Sequence, residues 1–247
     1  MDQALIDSYR ENGFVHVPQL LNRDEAMRFR EAALDVSQRL KSLYQGPIFN
    51  QNVNVWREDE TMRELTLLPK LAGWATALAG KPLRLWHDQV LIKAPHNNAA
   101  TEFHQDQPYW PHLDSPDPIS CWIALGDVRV EAGCMTFIPG SHTRTDLAMQ
   151  NLEDSRSLFD VCSELEWEQR LTVPLRAGDC TFHHGRCAHM AGPNTTDEAR
   201  VAHVVIFMDA QTRFSGSEHV VTQPLGLRPG DLLAGELFPR SDHLVEA

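Results

Sequence analysis

From Leu83 to Phe207 the chain breaks into short β-rich runs, and this pattern constrains the fold more than any other feature. Leu83–Leu85, Val90–Ile92, Ile119–Leu125, Met135–Ile138, Leu171–Val173 and Val201–Phe207 are candidate strands, and glycine and proline separate many of them. A short strand is also expected over residues 13 to 17. Two helical patterns come before the β region. Asn22 reads as an N-cap with Glu25 at N3, a capping-box arrangement, and Phe29, Ala33, Val36 and Leu40 follow at helical spacing. A second helix is expected near residues 69 to 79, with Leu71, Trp74, Ala75 and Leu78 as its apolar stripe and Gly80 as its stop.

Many short strands behind two helices predict a mainly β fold with flanking helices, a double-stranded β-helix of the jelly-roll or cupin kind. Such a barrel has a wide mouth lined by inward side chains. Residues 1–247 read as one domain. Residues 1–80 form a helical buttress with the first strands, 83–210 the core barrel, and 211–247 a C-terminal segment.

Composition limits the classes of function. Apolar residues make up 42% of the chain, which suits a packed core. No apolar run approaches the roughly 18 residues of a membrane span, and the polar start Met1-Asp2-Gln3 lacks a signal-peptide pattern. The five cysteines are odd in number and show no C-x-x-C spacing, so reduced thiols in a cytoplasmic protein are expected. A formal charge of −12 without a basic stripe argues against nucleic acid. The expected partner is a small-molecule substrate, with neither nucleic acid nor membrane; nothing in the sequence sets an oligomeric state.

Within the β region lies His104-Gln105-Asp106. The triplet alone is a weak signal in a chain with twelve histidines. It gains weight from His189 and from Arg200, eleven residues further on. Two imidazoles and a carboxylate make the facial triad of a non-heme Fe(II) oxygenase, with the opposite face of the metal open. The guanidinium of Arg200 is a planar fork suited to the distal carboxylate of a 2-oxo acid. On one strand His104 and Asp106 would share a face, because the strand period is two. Two other readings exist. Arg200 could form a surface ion pair with Asp197 or Glu198. Three ligands with an open position also suit catalytic zinc in a cupin isomerase or hydrolase, which would have no use for Arg200.

The ordered set resembles the phytanoyl-CoA dioxygenase-like family of Fe(II)/2-oxoglutarate oxygenases. Phe103-His104-Gln105-Asp106-Gln107-Pro108-Tyr109-Trp110 is similar to the family's first block. Gly133, Ile138-Pro139-Gly140-Ser141-His142, Gly178-Asp179, Phe182-His183, His189, Asn194 and Arg200 follow in family order. The similarity runs from Asn12-Gly13-Phe14 to Gly235-Glu236-Leu237-Phe238-Pro239, nearly the whole chain.

The resemblance implies that His104, Asp106 and His189 ligate Fe(II), that 2-oxoglutarate and O2 are cosubstrates, and that Arg200 clamps the 2-oxoglutarate. It implies cosubstrate contacts for Trp122, Gln89 and Lys93, with Asn52 roughly where some relatives carry a lysine. Ala191 stands where many members have serine, so a neighbour should supply that hydroxyl. Asp106 favours an oxygenase outcome over halogenation, because related halogenases replace this carboxylate with a small residue. The implied reaction oxidises a C–H bond of a small metabolite, most simply by hydroxylation, with 2-oxoglutarate going to succinate and CO2. Epoxidation, desaturation and ring formation share the same start, and secondary metabolism is the expected setting. Tyr109, Trp110, His87 and Arg57 are candidate substrate contacts, with packing, a structural histidine and a salt bridge as their ordinary alternatives. His183 and His184 are candidates for orienting the ligands.

Overall fold

The computed structural model describes residues 2–40, 44–145 and 148–245. In chain order it begins with helix α1 (Gln3–Asn12), strand β1 (Phe14–Val17) and helix α2 (Arg23–Arg39). Strands β2 (Tyr44–Gln45) and β3 (Asn50–Val53) follow, then helices α3 (Glu60–Thr66) and α4 (Pro69–Ala79). The barrel strands are β4 (Leu83–Lys93), β5 (Thr101–His104), β6 (His112–Leu113), β7 (Ile119–Ala124) and β8 (Met135–Phe137). After helix α5 (Ser157–Val161) come β9 (Leu171–Val173), β10 (Cys180–His184), β11 (His189–Ala191), β12 (Arg200–Asp209), β13 (Arg213–Phe214) and helix α6 (Ser241–Val245).

Among the described residues all strand pairing is antiparallel. A seven-stranded sheet runs β1-β10-β7-β12-β4-β3-β2, and a four-stranded sheet runs β5-β11-β8-β9. The two faces of the large sheet meet different partners. Val201, Val205 and Phe207 of β12 pack with Ala26, Phe29 and Val36 of α2 and Leu71, Ala75 and Leu78 of α4. Ala202, Val204, Ile206 and Met208 point the other way, into the space between the sheets, with Phe137 and Met135 of β8. Being covered on both sides, β12 is buried at every position, which explains its unbroken apolar run. The rings of Phe14 and Phe137 stack at 4.3 Å, tying the first edge of the large sheet to the small one. The jelly-roll expectation agrees with this architecture. Among the described residues, no helix is long and apolar enough to cross a membrane.

The helix signals act as read. Asn22 accepts from the Glu25 N–H at 2.9 Å, while Glu25 accepts from the Asn22 N–H at 2.7 Å. Gly80 ends α4 in the left-handed region. Asn22→Ala is expected to cost about 1 kcal/mol of stability, read as a lower urea midpoint with an unchanged m-value. Helix α1 was not anticipated from the sequence. Leu83–Leu85 and Val90–Ile92, read as two strands, are parts of one eleven-residue strand, β4.

That strand carries a feature that matters for the site. Its register against β12 shifts between Ile206, opposite His87, and Phe207, opposite Leu85. Trp86 is the extra residue. The bulge sends Trp86 into the core between the sheets and His87 into the cavity there, two consecutive side chains on one side.

Candidate metal and cosubstrate site

His104 ends β5 and His189 begins β11, directly opposite each other in the register. Asp106 lies past the end of β5, in a helical backbone conformation. The expectation that His104 and Asp106 share a strand face is therefore corrected: a turn, not the pleat, brings the carboxylate round. Gln105 locks that turn. Its N–H donates to Gln150 Oε1 at 2.8 Å and its side-chain amide to the Arg186 carbonyl at 2.6 Å. The Gln107 N–H donates to the Gly185 carbonyl at 2.8 Å.

One ligand atom from each of His104, Asp106 and His189 lies within 4.8 Å of the others. The hydrogen bonds settle which nitrogens face inward. His104 Nδ1 donates to the Glu102 carbonyl at 2.7 Å, and His189 Nδ1 to the Cys187 carbonyl at 2.9 Å. A carbonyl only accepts, so both Nδ1 atoms carry the proton and both Nε2 atoms present a lone pair. Asp106 Oδ1 sits 3.5 Å from His104 Nε2 and 3.7 Å from His189 Nε2. Three acceptors converge with no proton assigned among them, which is the donor set a divalent cation satisfies.

Asp106 is held by its other oxygen. Ser120 Oγ and His183 Nε2 each lie 3.2 Å from Oδ2, leaving Oδ1 for a metal. Burial pushes the Asp106 carboxyl up, but His189, His104 and His183 outweigh it and hold the group well below the usual range. Burial, followed by the neighbouring His104, lowers His189 to about 3, so its ring is neutral at ordinary pH.

Arg200 opens β12 on the same cavity, which has a volume of about 570 Å³. The guanidinium is 5.3 Å from the Trp122 ring centroid. Arg200 is buried, and its Nε and Nη1 have no hydrogen-bond partner. Burial lowers its pKa to about 10. A buried, unpaired cation beside a three-ligand cluster calls for an anionic group of a bound molecule. The surface ion pair with Asp197 or Glu198 is not formed.

The family model for phytanoyl-CoA dioxygenase (PhyH) matches residues 9–202, which include all four of these side chains. The chain belongs to this family. Among curated relatives, mouse phytanoyl-CoA dioxygenase domain-containing protein 1 is 29% identical over 157 residues, covering 62% of this chain and 54% of that protein. The chain thus spans about half the length of that relative. L-proline trans-4-hydroxylase of Streptomyces griseoviridis is 27% identical over 225 residues, covering 81% of this chain and 83% of that enzyme. Two solved structures are more similar. The α-ketoglutarate-dependent carbocyclase SnoK from nogalamycin biosynthesis superposes with a TM-score of 0.88 at 37% identity, over 97% of this chain and 96% of that one. The epimerase SnoN, in complex with Fe3+, α-ketoglutarate and nogalamycin RO, gives 0.87 at 35% identity, over 97% and 98%. The sequence expectation of iron and 2-oxoglutarate chemistry agrees with these neighbours.

In this family member the structure sorts the remaining expected residues. Gln89, Trp122, His87, Tyr109 and Trp110 line the cavity. Gly185 helps to seat Trp110, since a Cβ there would stand 2.7 Å from the indole. The Tyr109 hydroxyl donates to the Gln150 carbonyl. Asn52 is a correction. It pairs with Val90, whose side chain joins the core beneath the helices, so Asn52 faces away from the cavity. Gln51 faces the cavity instead and donates to Gln89 Oε1. A shift of one residue moves a side chain to the opposite face of a strand. Lys93 is a second correction. It is fully buried and donates to the carbonyls of Ala99, Ala191 and Gly192 at 2.9, 3.2 and 2.7 Å. All three of its protons are used on the backbone, and Lys93 does not line the cavity. Arg57 is exposed and outside the cavity. Asn194 gives its amide to the carbonyls of Lys93, Ala94 and Glu198, a structural role. Of the paired histidines, His183 touches Asp106, whereas His184 bonds the Pro116 carbonyl.

Sequence reasoning missed Ser120, Gln51, Gln105 and His219. Ser120 pairs with His183 across β7 and β10, a neighbourhood only the register reveals. His219 lines the cavity from the C-terminal segment, where no periodic pattern marks it.

Proposed function

We propose that this chain is an Fe(II)- and 2-oxoglutarate-dependent oxygenase, with the cavity between its sheets as the active site. The observation that carries the reading is the unpaired Arg200 guanidinium, buried on the same cavity as the three-ligand cluster. His104 Nε2, His189 Nε2 and Asp106 Oδ1 would hold the iron. Bound there, iron with a chelating 2-oxo acid supplies O2-dependent removal of hydrogen from an unactivated carbon, as 2-oxoglutarate goes to succinate and CO2.

The chain's own contribution is positioning. Arg200 pairs with the distal carboxylate in a desolvated setting, and the Trp122 ring fixes the plane of its fork. Gln51 occupies the carbonyl of Gln89, which leaves the Gln89 amide N–H groups for a ligand. Thr101, paired with Ala191 across β5 and β11, lines the cavity. We assign it the hydroxyl contact that serine would otherwise make at position 191. Ser120 and His183 keep Asp106 turned to the metal. Val53, Leu91, Val204, Ile206 and Trp110 make the walls largely apolar and exclude water from the reacting carbon.

The substrate we propose is a bulky, largely apolar small molecule of secondary metabolism. The apolar walls support this, as do two neighbours from nogalamycin biosynthesis that match over nearly their full length. Those neighbours bear the names carbocyclase and epimerase, so the outcome we propose for this chain is not restricted to hydroxylation.

Anaerobic titration of the Fe(II)-loaded protein with 2-oxoglutarate tests the reading. A weak visible charge-transfer band is expected on chelation. In Arg200→Ala the 2-oxoglutarate concentration at half-saturation should rise on the order of a hundredfold, with partial recovery in Arg200→Lys. Iron uptake without a band would favour the metal-dependent cupin isomerase or hydrolase.

A further inference from the structure

His87 and His219 face the same cavity from opposite origins. The β4 bulge delivers His87, and the C-terminal segment delivers His219. Their ring centroids are 5.8 Å apart. Trp86 braces both, at 5.7 Å from His87 and 5.2 Å from His219, and itself stacks on Phe238 at 5.6 Å.

Their backbone partners give the two rings opposite polarity. His87 Nδ1 donates to the Asp88 carbonyl at 3.1 Å, so its Nε2 is left as an acceptor. His219 Nδ1 accepts from the Val221 N–H at 3.2 Å, so its proton sits on Nε2 as a donor. Among the described residues neither Nε2 has a partner. Both rings are neutral at ordinary pH: burial and then His219 lower His87 to about 3, and burial lowers His219 to about 4.

We propose that His87 and His219 form a donor–acceptor pair that binds one neutral hydroxyl group on a ring-bearing substrate. His219 Nε2–H donates to the hydroxyl oxygen, and the hydroxyl proton is given to His87 Nε2. Hydrogen bonds of about 2.8 Å let a single oxygen touch both rings at this separation. A carboxylate fits poorly, since the pair offers one proton and no charge; the anion-binding part of the cavity is Arg200. The pair therefore selects alcohols and phenols and fixes their orientation relative to the metal ligands. This deepens the oxygenase reading and rests on it for treating the cavity as a substrate site.

The probes are 2-naphthol, 2-methoxynaphthalene and naphthalene, which offer a hydroxyl, an acceptor only, and neither. Binding to the full chain is measured by calorimetry. The expected order is naphthol, then ether, then naphthalene, with about tenfold between the ends, as two net hydrogen bonds give. His87→Phe should abolish the naphthol–ether difference. His219→Phe should abolish the ether–naphthalene difference, and His219→Gln, which keeps an N–H, should restore part of it. His219 is only partly buried, so its variants remain informative if His87→Phe does not fold. An unchanged order in both His219 variants overturns the proposal, as does equal binding of all three probes or no binding of naphthol at millimolar concentration. The iron and 2-oxoglutarate band separates the two readings. A band without hydroxyl preference sinks the pair and leaves the oxygenase. A preference without a band keeps the pair and sinks the oxygenase.

Discussion

Asp106→Ala is expected to give a folded protein that binds iron at least about a hundredfold more weakly and shows no measurable coupled turnover. Losing a partner that merely orients a ligand costs about 10- to 100-fold in metal affinity, so losing a charged ligand costs no less. Asp106 brings the only carboxylate into the three-residue cluster. Without it the metal faces two neutral imidazoles and keeps its full charge in a buried setting. The fold should survive, because the turn carrying Asp106 is held through its neighbours, by Gln105 to Gln150 and Arg186 and by Gln107 to Gly185. Metal content after desalting and succinate formation measure the loss, and circular dichroism checks the fold. Turnover near the wild-type rate in Asp106→Ala would remove Asp106 from the metal site.

The same turn shows why the site was more legible than its geometry. His104, Asp106, His189 and Arg200 stood out because the chemistry demands those residue types in that order. How Asp106 reaches the metal was not legible. Gln105 and Gln150, which set the turn, are 45 residues apart and join no periodic pattern. Asn52 and Lys93 failed for different reasons. For Asn52, one residue of register decides between cavity and core, and the hydropathy of Asn50–Val53 gives no parity. For Lys93 the strand parity is the same as that of Gln89 and Leu91, yet the backbone carbonyls of Ala99, Ala191 and Gly192 take its ammonium, two of them about a hundred residues away. Helices with explicit punctuation, such as Asn22 with Glu25 or Gly80, were readable locally. The strand β10 was not, because Thr181, His183 and His184 conceal a fully buried segment. Of these only His183 lines the cavity, while His184 bonds the Pro116 carbonyl.

The buried histidines also set how the protein responds to acid. In the metal-free protein, stability is expected to fall steeply as the pH drops below about 6.5. Burial lowers His87, His189 and His203 each to about 3. In the unfolded chain each ring protonates near 6.5. Between those values the unfolded state holds the extra proton, so each depressed group contributes stability present above 6.5 and lost as pH falls. Asp88 runs the other way. Burial raises its carboxyl to about 7, despite hydrogen bonds from Thr66 Oγ1 and the Trp56 N–H. Protonated in the fold and ionised in the unfolded chain, it adds stability as pH falls from 7 towards 4. Burial also lowers His219 to about 4 and His112 well below its usual value, so five rings against one carboxyl leave a net uptake of about four protons on unfolding, a slope of roughly 5 kcal/mol per pH unit. A domain with about 10 kcal/mol in hand at pH 7 would then unfold some two units below pH 6.5, and its melting temperature should drop by well over 10 °C between pH 7 and pH 5. Thermal unfolding in a chelator at half-unit pH steps measures this. In His203→Gln, which cannot take up a proton, the slope should fall by about a quarter; a melting temperature flat from pH 7 to pH 5 in the wild type would mean that these rings are not held neutral by the fold.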